Sequence, residues 1–159
     1  MSLADRLQAD MTTAMRDGDA LKRDTLRMVL AAAHNAQVAA RRPLTDDELV
    51  GVLSREAKTR RESIEAYTKV GRVDLADKER AEADVIAAYL PAALTEDELR
   101  ALVVDAIAAT GATSARDLGK VMGWLSPKTR GRADGKRVSE LVVQSLAAAD
   151  LAAHDTGTH

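Results

Sequence analysis

Large aromatic side chains are almost absent from this sequence, and this limits the folds open to the chain more than any other feature. Its 159 residues include no Phe, one Trp and two Tyr, and the hydrophobic residues, 46% of the total, are mostly Ala, Leu and Val. β-Strands favour aromatic and β-branched residues, whereas Ala and Leu favour helices. We therefore predict an all-α protein whose core consists of aliphatic side chains on closely packed helices.

Helix start and stop signals recur along the chain. The segments TDDE at residues 45–48 and TEDE at residues 95–98 have the spacing of a capping box, in which a Thr hydroxyl and a Glu carboxylate satisfy the first free amides of a helix. Gly18 and Gly111 follow apolar stripes of helical period and are placed to end them. Together the signals predict seven helices, at about residues 2–17, 19–40, 46–70, 74–89, 96–109, 114–126 and 134–149.

Two residues depart from the pattern of these predicted helices. Pro127 has no amide hydrogen, so we expect it to end the sixth helix. Arg60 interrupts the inward-facing stripe of the third helix, whose other members are apolar: Leu49, Val52, Leu53, Ala57, Ile64 and Tyr67.

The best domain boundary lies between Leu90 and Thr95, where Pro91 precedes the second capping box. We predict an N-terminal helical subdomain, residues 1–91, that contains a long antiparallel helix pair. A small C-terminal three-helix subdomain is predicted for residues 95–149. Residues 150–159 lack helical periodicity and are predicted to be a disordered tail.

The residues needed for most kinds of active site are missing. Without cysteine, the chain has no disulfides and no thiolate chemistry. Its three His residues lack the partners of a metal-ligand set. Residues 131–136, GRADGK, are one residue short of a phosphate loop and follow no predicted strand. We therefore predict no catalytic residues, no metal site and no cofactor.

Membrane insertion and export are also not expected. The uncharged apolar runs, such as residues 28–33, are far shorter than the roughly 20 residues that cross a bilayer. The N-terminal MSLADRLQAD carries acidic residues where a signal peptide carries basic ones. These features predict a cytoplasmic location.

Positive charge and glycine are concentrated between Gly111 and Val138. From Ala112 to Arg137, seven Lys or Arg stand against two Asp, in a chain whose net charge is −2. Within the sixth helix, Lys120 and Trp124 are four residues apart and are expected on one exposed side. Such a surface suits a phosphate backbone, with the indole available to stack on a base. The predicted RNA-binding residues are Gly119, Lys120, Gly123, Trp124, Lys128, Arg130, Arg132, Lys136 and Arg137.

The same residues allow other interpretations. Gly119 and Gly123 could let another helix pack closely, Trp124 could cover the joint with the first subdomain, and the loop charges could keep a glycine-rich turn soluble. An acidic protein partner would also suit the charge. In that case the protein is a helical protein-protein adaptor that does not bind nucleic acid.

Several strings of this sequence resemble the GatB/YqeY family, and they occur in the family's order. They are YLPAALTEDEL, then GATS, DLGKVMG and GRADGKRV within residues 111–138. The resemblance is strongest to the small free-standing YqeY-like proteins, since nothing corresponds to the large catalytic body of the GatB amidotransferase proteins. It implies an all-α protein with an N-terminal helical subdomain and a smaller C-terminal one.

The resemblance also implies kinship with the tail of the enzyme that amidates Glu-tRNA(Gln) or Asp-tRNA(Asn), a carbon-nitrogen ligase with glutamine as amido-N-donor. In that enzyme the tail binds tRNA, while the chemistry occurs in other parts. The resemblance thus implies a tRNA-binding accessory protein, with an amidotransferase or a synthetase as a further partner. Trp124 lies outside the matched motif, whose positions are Gly119, Lys120, Met122, Gly123, Gly131, Arg132, Ala133, Asp134, Gly135 and Lys136.

Overall fold

The computed structural model describes residues 1–156, and throughout this range the regular elements are helices. They are α1 (Leu3–Asp17), α2 (Ala20–Ala40), α3 (Asp46–Lys69), α4 (Val73–Ala87), α5 (Glu96–Thr110), α6 (Leu118–Thr129) and α7 (Gly135–Thr156), with a short 3₁₀ helix at Ala115–Asp117. The predicted all-α class is confirmed. None of the described helices is both long and apolar enough to cross a membrane.

The helices begin and end largely at the residues that the local signals indicate. Thr45 and Glu48 form a capping box at the start of α3. The Thr95 hydroxyl accepts a hydrogen bond from the Glu98 amide at the start of α5, at 3.1 Å. Gly111 ends α5 in the left-handed conformation, with φ of 68°, which glycine adopts without steric cost.

Pro127 lies inside the last turn of α6 and does not end it, so that part of the prediction is wrong. A proline removes its own amide and crowds the carbonyl four residues earlier, but the residues after it still find acceptors. The Arg130 amide donates to the Ser126 carbonyl at 3.0 Å. The Thr129 hydroxyl donates to the Leu125 carbonyl at 3.2 Å, and α6 therefore extends to Thr129.

The last helix is longer than expected. We predicted an end at Ala149 and disorder over residues 150–159, but α7 continues to Thr156. No Gly or Pro occurs between residues 147 and 156, and the Ala-rich sequence there favours a helix even without apolar periodicity. The prediction is wrong for residues 150–156, and residues 157–159 lie outside the described part of the chain.

The chain separates into two compact units, Met1–Pro91 and Ala92–His159. In the first unit, α3 and α4 are joined by a three-residue connection and pack along each other, with α1 and α2 against them. The buried residues of this core include Leu7, Leu26, Val29, Leu53 and Ile86. In the second unit, α5, α6 and α7 surround a separate core that includes Leu99, Val103, Val121, Leu125, Leu141, Val142 and Leu146.

A cluster of ion pairs around Arg60 lies at the α3–α4 contact of the first unit. The Arg60 side chain is 7% exposed, and its Nε lies 3.4 Å from Oε2 of Glu82, which is 9% exposed. Its Nη1 contacts Glu56, and its Nη2 lies 3.6 Å from the sulfur of Met28 on α2. The arginine that interrupts the apolar stripe of α3 is therefore a buried connection among three helices.

Tyr89, just after α4, is held against α1. Its hydroxyl donates to Asp10 Oδ2 at 2.5 Å, and the Arg6 guanidinium lies 4.8 Å from the centre of its ring. Burial and the neighbouring Asp10 carboxylate raise the pKa of Tyr89 well above its ordinary value. The contribution of this contact to the free energy of unfolding is therefore complete only at pH values at which the unfolded chain also keeps the phenol protonated.

This raised pKa predicts a loss of stability in alkali. The unfolded chain loses the phenol proton near pH 10, whereas the folded protein retains it, so the contribution is complete below about pH 10 and is lost as the pH rises further. At pH 11 we expect a loss of about 1.4 kcal/mol in the free energy of unfolding that Tyr89→Phe does not show. Urea denaturation of both proteins at pH 8 and 11 measures the difference, and equal losses would contradict the assignment.

Candidate nucleic-acid interface

The predicted RNA-binding residues lie on α6, on the loop after it and at the start of α7, all in the second unit. Val121 and Leu125 are fully buried and orient α6 on the core. Asp117 orders the start of α6, because its Oδ2 accepts the amides of Thr113 at 2.8 Å and Ser114 at 3.4 Å. These two hydrogen bonds lower the pKa of Asp117, with a smaller contribution from the Lys120 charge.

Lys120, Trp124 and Lys128 are spaced four residues apart and form a single row along α6, here named the α6 ridge. Trp124 is half-buried and packs against the core of the second unit. The Lys128 ammonium lies 4.2 Å from the centre of the Trp124 ring, a cation–π contact. A base can therefore reach the covered ring face only after Lys128 moves aside.

Gly119, Gly123 and Pro127 form a second row of the same spacing next to the ridge, here named the α6 furrow. Both glycines are exposed. A Cβ atom added at Gly119 or at Gly123 would meet no other atom within 4 Å. No described part of the chain packs against them, so close helix packing within the protein does not explain these glycines.

Arg132 is directed back to the segment that precedes α5. Its Nε donates to the Ala92 carbonyl at 3.0 Å, and its own carbonyl accepts the Leu94 amide at 2.8 Å. The side chain is thus already used to fix the loop after α6 to the residues before α5.

Arg137 is also engaged within the second unit. Its Nε donates to Glu96 Oε1 at 3.1 Å, its Nη2 contacts the same oxygen, and its Nη1 lies 3.4 Å from Glu140 Oε2. The hydrogen bond from Arg137, followed by its charge and that of Arg100, holds the pKa of Glu96 below its usual range.

The other four cations differ from Arg132 and Arg137. Lys120, Lys128, Arg130 and Lys136 are exposed, and none forms an ion pair with another described residue. The structure therefore separates the six predicted cations into four that face solvent unpaired and two that hold the loop in place.

Residues 4–146 match the model of the family described as "Yqey-like protein". The chain belongs to this family. The resemblance found in the sequence strings is thus confirmed, and the match includes every predicted RNA-binding residue of this Yqey-like protein.

Curated fungal relatives of this Yqey-like protein carry the name "Altered inheritance of mitochondria protein 41, mitochondrial". The relative from Pyrenophora tritici-repentis is 33% identical over 146 residues, which cover 90% of this chain and 80% of the relative. The relative from Eremothecium gossypii is 38% identical over 87 residues, covering 54% of this chain and 48% of the relative. The Vanderwaltozyma polyspora relative is 36% identical over 85 residues, covering 53% and 46%.

These names overturn the predicted cytoplasmic location, because they place the relatives in mitochondria. The prediction relied on the absence of a membrane-crossing apolar run and of a secretory signal. Neither feature distinguishes the cytosol from the interior of an organelle.

The sequence prediction missed two residues that bear on this Yqey-like protein's basic surface. Glu96 appeared only as part of a capping segment, and Arg100 was not singled out. Glu96 contacts Arg137, which lies 41 residues later along the chain, and Arg100 contacts the same Glu96 carboxylate. No local pattern in the sequence signals a contact over a separation such as that between Glu96 and Arg137.

Proposed function

We propose that this Yqey-like protein binds RNA, with tRNA as the first ligand to test, through the α6 ridge together with Arg130 and Lys136. The observation that carries the proposal is the exposure of four cations without ion-pair partners among the described residues, all within residues 120–136. Such cations bind phosphates and release counterions when they do so. The α6 furrow beside them leaves room for a nucleic-acid backbone to come close to the helix.

Within residues 112–137, the two acidic residues form no ion pairs with described residues and so do not offset the positive charge in that way. Asp117 accepts backbone amides at the start of α6, and Asp134 accepts the Lys136 amide at 3.3 Å. On the outer side of α3, by contrast, the exposed cations Lys58 and Arg61 each have a Glu four residues later, a spacing at which opposite charges offset each other along a helix. Lys136 has such a neighbour in Glu140, but Lys120 and Lys128 have no acidic residue four positions away, so the α6 ridge is the better candidate for binding a polyanion.

The proposed role is that of an accessory protein that holds tRNA for an amidotransferase or a synthetase. This part of the proposal is supported by the resemblance of the C-terminal strings to the tail of the GatB amidotransferase proteins. The described residues of the second unit contribute a basic surface and no recognised set of catalytic groups, which is consistent with chemistry performed by a partner. The names of the relatives state a mitochondrial location and no ligand.

Binding of fluorescently labelled tRNA, followed by anisotropy at low and at physiological salt, tests the proposal. We expect affinity to fall as salt rises, and Lys128→Gln with Arg130→Gln to weaken binding about five- to tenfold and to reduce the salt slope by about two phosphate contacts. Emission from Trp124, the only tryptophan, should change on binding because Lys128 covers its ring.

The matched control removes the same charge from the first unit. Lys58→Gln with Arg61→Gln also deletes two exposed cations, and we expect less than a twofold effect, consistent with long-range charge alone. Equal weakening by both double variants, or affinity that is independent of salt, would count against the interface. Absence of tRNA binding even at low salt would favour the alternative of a protein-protein adaptor.

A further inference from the structure

Two guanidinium groups converge on a single carboxylate oxygen in the second unit. Oε1 of Glu96 accepts from Arg137 Nε at 3.1 Å and from Arg137 Nη2, and it lies 3.4 Å from Arg100 Nη2. The side chains of Arg137 and Arg100 are 37% and 55% exposed. Both cations are therefore accessible from solvent, and both are directed at one anionic atom.

The position of Glu96 is set by the backbone around it. It is the first residue of α5, capped by Thr95, and it follows directly on the segment that Arg132 fixes through Ala92 and Leu94. The carboxylate is thus held against the start of α7 by the same loop that carries Arg130. The hydrogen bond from Arg137 lowers the pKa of Glu96 and thereby favours the ionised carboxylate.

We propose that Arg100 and Arg137 form a further phosphate-binding site, which Glu96 closes in the free protein and which an RNA phosphate opens by displacing the carboxylate. The inference rests on the proposed RNA binding. A phosphate oxygen accepts from guanidinium groups with the geometry that the Glu96 oxygen now uses. An ion pair between side chains this exposed is weak, so an incoming phosphate can replace it.

The site extends the proposed surface. Lys136 precedes Arg137 at the start of α7 and is one of the four unpaired cations. A backbone phosphate bound at Lys136 would bring its neighbour towards Arg137. Displacement of the Glu96 carboxylate then adds one phosphate contact to the complex and breaks the two ion pairs that Glu96 forms with Arg100 and Arg137. Glu96 in this way limits the affinity of the free surface for any polyanion.

The test compares Glu96→Gln with Asp97→Asn in the full chain. Asp97 is the next residue in the same exposed turn and forms no ion pair with a described residue, so its variant removes the same charge without freeing Arg137. With labelled tRNA we expect Glu96→Gln to bind about three- to fivefold more tightly at an unchanged salt slope, because the same phosphate contacts form in both proteins and only the displacement of Glu96 is no longer needed. Asp97→Asn should change affinity by less than about twofold and leave the slope unchanged.

A double variant assigns the gain to Arg137. Glu96→Gln with Arg137→Gln should lose the increase in affinity and should lower the salt slope by about 0.7–0.9, because the phosphate contact at Arg137 is missing. Thermal unfolding checks that each variant folds, which we expect because Thr95 still caps α5.

The outcomes separate this inference from the proposed function. If the wild-type protein binds tRNA in a salt-dependent way but Glu96→Gln and Asp97→Asn behave alike, the Glu96 site is overturned and RNA binding stands. The same holds if the double variant keeps the full gain. If neither the wild-type protein nor Glu96→Gln binds tRNA at low salt, both proposals are overturned.

Discussion

Replacing Arg60 with alanine is expected to lower the free energy of unfolding by about 3–5 kcal/mol. The substitution leaves Glu82, whose side chain is 9% exposed, with no cation beside it, and it also removes the partner of Glu56. A buried carboxylate without a partner loses its hydration and gains nothing in return. Urea denaturation followed by circular dichroism measures the loss.

Two further variants distinguish loss of charge pairing from loss of a side chain. Arg61→Ala removes the neighbouring exposed arginine and should cost no more than about 0.5 kcal/mol. Arg60→Met with Glu82→Leu replaces the pair by apolar side chains of similar size, and should recover most of the stability that Arg60→Ala loses. If Arg60→Ala costs no more than Arg61→Ala, the cluster is not a significant part of the α3–α4 contact.

The ion-pair cluster around Arg60 also shows which part of the fold could be predicted from the sequence. Arg60 stood out because it interrupted an apolar stripe, a local property of α3. Its partner Glu82 lies 22 residues later on α4, and their contact depends on how the two helices are aligned along each other. Helical periodicity identifies the buried side of each helix but carries no information about that alignment.

Some helix boundaries could likewise be predicted from the sequence, and others could not. Those at Thr45, Thr95, Gly18 and Gly111 were predictable because each is set by hydrogen bonds within a few residues. The end of α6 was not, because the residues after Pro127 continue the helix through hydrogen bonds to the Leu125 and Ser126 carbonyls that composition does not reveal.

The sequence located the basic stretch of the candidate interface, but it did not show which of its cations have hydrogen-bond or ion-pair partners. Lys120 and Trp124 lie in one row, but this row is beside the core side of α6 and not wholly on the exposed side that we predicted, so Trp124 is half-buried. From the sequence alone, Arg132 and Arg137 could not be distinguished from Arg130. Their partners, Ala92 and Glu96, lie 40 and 41 residues earlier, and only the packing of α5 against α6 and α7 brings them together.

The double variant Gly119→Ala with Gly123→Ala is expected to increase the stability of the protein and to weaken its binding of tRNA. Neither glycine has a positive φ, and an added Cβ meets no atom within 4 Å at either position. Alanine should therefore stabilise α6 by about 1 kcal/mol at each position. If a nucleic-acid backbone occupies the α6 furrow, the two methyl groups displace it from the ridge, and loss of one charged contact weakens tRNA binding about tenfold.

Gly51→Ala in α3 is the matched control, since Gly51 is also helical and its added Cβ also meets nothing within 4 Å. It should stabilise the first unit by about 1 kcal/mol and leave tRNA binding unchanged. An exposed glycine in the middle of a helix costs stability, and nothing within the described chain explains two of them four residues apart. If the double variant is more stable and binds tRNA as tightly as the wild-type protein, the furrow is not part of the interface, and the α6 ridge must bind RNA without close approach to the helix backbone.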